Sequence, residues 1–139
     1  MQPTRVPVEE FTTPDPIIAN DDTTVDELWR MMQEHGIRHI PIARDGFIVG
    51  IVSDRDVRFV SGLSIAEKHQ IKAADIMAPD PITVRADTPL DEVAYIMSEH
   101  KVGSVIVQEE DGHLLGILTT TDALNALIEI IRKGNASAD

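Results

Sequence analysis

Cysteine is absent from the 139 residues. Disulfides, thiolate metal sites and a cysteine nucleophile are thereby excluded. Aromatic residues make up only 4% of the chain, so a core must be built from Ile, Val, Leu and Met. Positive charge is also short. Lys and Arg number 12 against 24 Asp and Glu, for a formal net charge of -12. Nucleic-acid phosphates and bare anionic membranes attract the opposite sign, so neither is expected as a partner. No run reaches the roughly 20 apolar residues of a membrane span. The opening residues, MQPTRVPVEEF, lack the apolar centre of a signal peptide. The expectation is a cytoplasmic protein.

Familiar catalytic signatures are missing too. There is no Gly-x-x-x-x-Gly-Lys-Ser/Thr loop, no Gly-x-Ser-x-Gly elbow and no glycine run of the dinucleotide-binding type. No enzyme is expected. What is present is the composition of a globular domain, 42% hydrophobic and 26% charged, with enough length for a real core.

The chain also repeats itself. Pro14 recurs as Pro79, and from there about a third of the aligned positions are identical with one inserted residue near Glu110. Each repeat opens on PDPI and a short apolar strand, Ile17–Ala19 or Ile82–Val84. Thr23 and Thr88 then stand where helix N-caps belong. Val25, Leu28 and Met32, repeated as Leu90, Val93 and Met97, have the spacing of one helix face. These helices should end near His35–Gly36 and His100–Lys101. Two apolar runs follow, His39–Ala43 with Phe47–Val52 and Ser104–Gln108 with His113–Leu118. RDG and EDG separate them as hairpin turns. A second helix closes each repeat; in the second it carries Leu124, Leu127, Ile128 and Ile131 on one face and should stop before Gly134. Ser64-x-x-Glu67 in the connecting segment is a capping box.

The predicted fold is thus α/β (α+β), two β-α-β-β-α repeats packed with pseudo-twofold symmetry. The expected division is an arm over 1–10, repeats over 11–62 and 75–132, a partly helical linker over 63–74 and a disordered tail over 133–139. The two repeats should form one globular module.

Four Ser/Thr-x-x-Asp spacings occur in this frame. Thr23–Asp26 and Thr88–Asp91 begin helices after loops and need only a capping explanation. GIVSDRD (Gly50–Asp56) and GILTTTD (Gly116–Asp122) begin helices directly at strand ends, where α/β folds present ligands. A carboxylate accepts only, and a ribose diol offers two adjacent donors, so one Asp can take both. A helix start offers free N–H groups to an anion.

With its PDPI starts, its GIRHIPI strand and its two glycine–apolar–apolar–Ser/Thr-x-x-Asp ends, the chain resembles a tandem pair of cystathionine β-synthase (CBS) domains, the Bateman module, over roughly residues 11–131. The first repeat is most similar to stand-alone bacterial members related to acetoin-utilisation proteins. The resemblance implies a regulatory module that binds an adenine nucleotide (AMP, ADP or ATP) or a relative such as S-adenosylmethionine or NAD, and needs no metal. It implies composite sites, in which Asp holds the ribose, the Ser/Thr and helix start face phosphate, and apolar residues of the other repeat clamp the adenine. Carried over, the first site comprises Ser53, Arg55 and Asp56 with Ile82, Thr83 and Val105. The second comprises Thr119, Thr121 and Asp122 with Ile17, Ile18, Ile40 and Pro41. Arg38 and His39 stand where basic phosphate contacts occur in the gamma subunit of AMP-activated protein kinase. Such pairs regulate attached effectors in larger relatives. Here the repeats use nearly the whole chain, so an effector protein in trans and a homodimer through the helices are implied. The alternative is a structural dimerisation scaffold with vestigial sites; a small enzyme using a repeat-derived cleft is a third possibility.

The repeats differ where charge matters. Arg38, His39 and Arg55 align with Gly103, Ser104 and Thr121. A multiply phosphorylated ligand is therefore expected at the first site, and a less charged one, or none, at the second. The histidines form no metal pattern: His35 and His39 are four apart but straddle a helix end, while His35 and His100 suit the helix dipole. Trp29 and Tyr95 lie on the first helices, one position out of alignment, and read as core or interface. Glu109–Asp111 reads as a solvated turn.

Overall fold

The computed structural model describes residues 6–60, 62 and 64–137. Residues 1–5 of the expected arm and 138–139 of the expected tail lie outside them. A 3-10 turn over Val8–Phe11 precedes β1 (Thr13–Pro14). Then follow β2 (Ala19–Asn20), α1 (Val25–His35), β3 (His39–Arg44), β4 (Phe47–Ser53) and α2 (Asp54–Phe59). After α3 (Ile65–Gln70) and α4 (Ala73–Ile76) comes β5 (Ala78–Pro79). The second series is β6 (Thr83–Arg85), α5 (Leu90–His100), β7 (Ser104–Gln108), β8 (Leu114–Thr119) and α6 (Thr120–Ser137).

Two four-stranded sheets result, ordered β2-β3-β4-β5 and β1-β8-β7-β6. In each, the repeat's short first strand lies parallel to its second, which forms an antiparallel hairpin with the third. Asp45 and Gly46, both at positive φ (52 and 84), make the two-residue turn between Arg44 and Phe47. That is the turn whose twist suits a hairpin.

The fourth strand of each sheet comes from the other repeat's opening residues. β5 pairs with β4 (Gly50 opposite Pro79), and β1 pairs with β8 (Gly116 opposite Pro14). Both prolines sit on edge strands, where a missing N–H costs no ladder bond. Accordingly, residues Pro16–Pro81 form one compact unit, and those up to Asp15 join those from Ile82 onward in the other.

Each unit has its own core. In one, Val25, Leu28 and Met32 of α1 pack with Ile40, Ile42, Val52 and Val57. In the other, Leu90, Val93 and Met97 of α5 pack with Val105, Val107 and Leu118. The helix-face spacing read from the sequence is therefore the buried face in both. Val8 and Ala73, from the arm and the linker, are also fully buried in the cores of the units they join.

Several local expectations are corrected. α1 is capped by Thr24, whose side chain accepts from the Glu27 N–H at 3.4 Å. Thr23 is one residue too early, and its hydroxyl accepts from the Asn20 N–H at 3.1 Å. Pro89, not Thr88, occupies the N-cap of α5 and has no side-chain acceptor to offer. The first helical N–H groups are satisfied from a distance instead: Leu90 donates to the Val6 carbonyl at 2.7 Å and Val25 to that of Ile71 at 3.0 Å. The first strands begin later than expected, with Ile17, Ile18 and Ile82 ahead of β2 and β6. α6 continues through Gly134 to Ser137, and Leu124, Leu127, Ile128 and Ile131 on it are exposed. Ala126 is its buried contact. The first helix of each repeat ends where expected: Gly36 and Lys101 both adopt left-handed C-cap conformations (φ 62 and 55). The Ser64–Glu67 capping box forms in both directions, at 3.2 and 3.3 Å.

Candidate functional site

Both glycine–apolar–apolar–Ser/Thr-x-x-Asp stretches place their Asp at the junction of the third strand and the following helix. Ser53 ends β4 and caps α2. Its Oγ accepts from the Asp56 N–H at 3.2 Å, and its own N–H donates to Asp56 Oδ2 at 2.8 Å. Thr119 repeats the arrangement at the end of β8: its Oγ1 accepts from the Asp122 N–H at 3.3 Å, and its N–H donates to Asp122 Oδ2 at 3.0 Å. Both motifs are reciprocal capping boxes. The box fixes one carboxylate oxygen and leaves the direction of the other set by the backbone.

Glycine opens these motifs because the exchanged edge strands cross there. A Cβ at Gly116 would stand 2.9 Å from the Thr13 carbonyl carbon, and one at Gly50 would stand 2.8 Å from Met77 Cγ. The motif therefore encodes both a strand crossing and a helix start.

Around Ser53 the structure gathers a mixed charge cluster. His39 pairs with Ser53 across the hairpin, and the Asp54 N–H donates to the Arg38 carbonyl at 2.8 Å. Arg38 and Arg55 are exposed, and among the described residues neither guanidinium has an ion-pair partner, whereas Arg58 pairs with Asp54 at 3.4 Å. Burial lowers the pKa of His39 from the ordinary 6.5; Asp54 and Asp56 oppose that shift and Arg38 adds to it.

A histidine held below its unfolded pKa binds protons more readily when unfolded. Its contribution to stability is therefore complete above 6.5 and lost as pH falls from there toward the depressed folded value. His39→Gln is expected to flatten that limb of the stability profile, measured by urea denaturation between pH 7.5 and pH 5. An unchanged slope overturns the expectation.

At the matching place in the other unit, Ser104 is buried and pairs with Thr119, and Thr121 is exposed. The cationic groups thus belong to one unit alone. Of the apolar candidates, Ile40 and Val105 are wholly buried within their own units' cores, and Pro41 is also fully buried. Their side chains are committed to folding. Ile17 and Ile82 are half-buried, and Ile18 and Thr83 exposed. The Ile82 carbonyl accepts from the Ile106 N–H at 2.9 Å.

One contact was not anticipated. The Thr13 hydroxyl lies 3.2 Å from both Asp122 oxygens. Carried one residue before Pro14, the repeat alignment would put polar Thr13 opposite Ala78 and so mark this position as different between the halves. Among the described residues, no three His, Asp or Glu side chains gather as a metal site, and no helix is long and apolar enough to cross a membrane.

Comparison with known proteins agrees with this architecture. The family model described as the CBS domain matches twice, over residues 8–62 and 73–129. An inosine-5'-monophosphate dehydrogenase of Korarchaeum cryptofilum is 37% identical over 82% of this chain, but the match spans only 23% of that enzyme's length. The crystal structure of CBSX2 of Arabidopsis thaliana in complex with AMP superposes with a TM-score of 0.74 at 30% identity, covering 89% of this chain and 97% of that one. A Vibrio cholerae protein assigned to acetoin utilization, AcuB, gives 0.81 at 26% identity, covering 96% and 98%. With two matched segments, one in each repeat, and two sheets of matching topology, the chain belongs to the CBS-domain family as a tandem CBS pair.

Proposed function

We propose that the chain is a regulatory, non-catalytic sensor of an adenosine ligand, either AMP, ADP or ATP or a relative such as S-adenosylmethionine or NAD, and that it signals to a partner protein in trans. The repeats, 11–62 and 75–132, act in this proposal as one module. The observation that carries it is the pair of strand-to-helix junctions, each holding a half-buried capping-box Asp at the helix start, in a chain 30% identical to a protein crystallised with AMP. Asp56 and Asp122 accept from the ribose hydroxyls, while Ser53 or Thr119 and the helix start meet the phosphate. Arg38, His39 and Arg55 give the repeat-one site its preference for a multiply charged phosphate chain. The adenine-facing groups assigned by the resemblance are Ile82, Thr83 and Val105 for the first site, and Ile17, Ile18, Ile40 and Pro41 for the second. Ile40, Pro41 and Val105 are buried, so the exposed or half-buried Ile17, Ile18, Ile82 and Thr83 are the groups able to meet the adenine.

For such a module to switch a partner, ligand must favour one arrangement over another. A homodimer through the helices supplies the element to be rearranged, and the exposed Leu124, Leu127, Ile128 and Ile131 of α6 support it. The same apolar face favours the second reading, a dimerisation scaffold without a working ligand site.

A thermal-shift screen of AMP, ADP, ATP, NAD(H), S-adenosylmethionine and cyclic dinucleotides separates the two. A true ligand near one hundred times its Kd adds about 2.7 kcal/mol, a Tm rise of roughly 10 °C for a chain of this size. No shift with any of them favours the scaffold.

A further inference from the structure

We propose that Thr13 is a built-in competitor for the Asp122 carboxylate, so that the second site takes an adenosine ligand only by displacing the Thr13 hydroxyl, while the Asp56 site has no such competitor. The inference rests on Asp122 and Asp56 being the ribose acceptors.

A ribose diol presents two donors, and a single carboxylate meets both by offering both oxygens. At Asp56, Oδ2 is engaged by the Ser53 N–H, and among the described residues Oδ1 accepts nothing. At Asp122, Oδ2 accepts from the Thr119 N–H at 3.0 Å and from Thr119 Oγ1 at 3.1 Å. The single Thr13 hydroxyl proton is then shared between Oδ1 and Oδ2, each 3.2 Å away. Thr13 supplies the only partner of Oδ1 among the described residues.

The contrast follows from register. Thr13 stands opposite Ile117 in β1–β8, and Ala78 stands opposite Ile51 in β5–β4. The two strands are equivalent, so the same place is filled by a hydroxyl in one unit and a methyl in the other. The exchanged edge strand thus brings part of the second site's occupancy with it. The two sites differ in accessibility as well as in charge.

The test titrates AMP by calorimetry into an Asp56→Ala background, which isolates the Asp122 site. Thr13→Val, nearly isosteric and at home in a strand, should raise AMP affinity about tenfold, the scale of one weak charge-assisted bond. Thr13→Ser, which keeps the hydroxyl, should stay within about twofold of its parent. In the otherwise wild-type chain, Ala78→Thr should lower AMP affinity at the Asp56 site about tenfold by the same logic. The Ala78→Thr arm also decides the matter if the Asp56→Ala protein does not fold.

An unchanged or weaker affinity in Thr13→Val, with binding still abolished by Asp122→Ala, overturns the competition while leaving the ribose role intact. AMP binding that survives loss of both Asp56 and Asp122 overturns the ribose role itself. Binding absent from the Asp56→Ala protein that appears once Thr13→Val is added supports the competition most directly, and binding absent from both overturns it.

Discussion

Asp56→Ala is expected to lower ATP affinity about a hundredfold, through the loss of two charge-assisted bonds to the ribose of roughly 1.5 kcal/mol or more each. Asp122→Ala should leave ATP affinity within about twofold, as for an independent site. The difference is set by the surroundings. Arg38 and Arg55 are exposed beside Ser53 and Asp56, while their counterparts in the other repeat are Gly103 and Thr121. Asp56 also closes the box that caps α2, so its removal costs about 1 kcal/mol of stability in addition. Calorimetry on samples shown to be folded separates the two effects. If ATP affinity falls only in Asp122→Ala, the polyphosphate preference has been given to the wrong repeat.

Gly116→Ala is expected to cost about 3 kcal/mol of stability, the upper end of overpacking, against about 1 kcal/mol for Gly50→Ala. At Gly116 the added methyl meets backbone: it would lie 2.9 Å from the Thr13 carbonyl carbon as well as 2.8 Å from Thr12 Cγ2. The Thr13 carbonyl cannot move without displacing β1 from β8. At Gly50 the nearest groups are Met77 side-chain atoms, with the Ala78 carbonyl oxygen at 3.0 Å. An unbranched thioether side chain repacks readily. Urea denaturation of the two variants reads the difference, and equal or reversed costs overturn it. Gly116→Ala should also separate Thr13 from Asp122, so its effect on AMP binding is predicted to follow that of Thr13→Val in whatever fraction remains folded.

Much of this protein was legible in the chain itself. The apolar spacing of Val25, Leu28 and Met32 and of Leu90, Val93 and Met97 identified two buried helix faces, because burial of one face imposes a period of 3.6 residues. The Asp45–Gly46 hairpin turn was legible because few residues tolerate positive φ at both turn positions. The repeat itself disclosed the two strand-to-helix junctions, and the PDPI, GIRHIPI and glycine–apolar–apolar–Ser/Thr-x-x-Asp motifs carried the resemblance to the family.

Tertiary structure decided what local pattern does not encode. A two-residue strand such as β1 has no period to detect, and its partner β8 lies about a hundred residues along the chain. The exchange of edge strands, the need for glycine at 50 and 116, and the meeting of Thr13 with Asp122 all follow from that pairing. The helix starts behaved likewise. Thr23 and Thr88 look like caps by spacing, but Thr24 caps α1, and distant carbonyls of Ile71 and Val6 satisfy the first N–H groups of α1 and α5. A backbone donor takes whichever acceptor the fold brings nearest, and that acceptor came from the arm or the linker rather than from the local sequence.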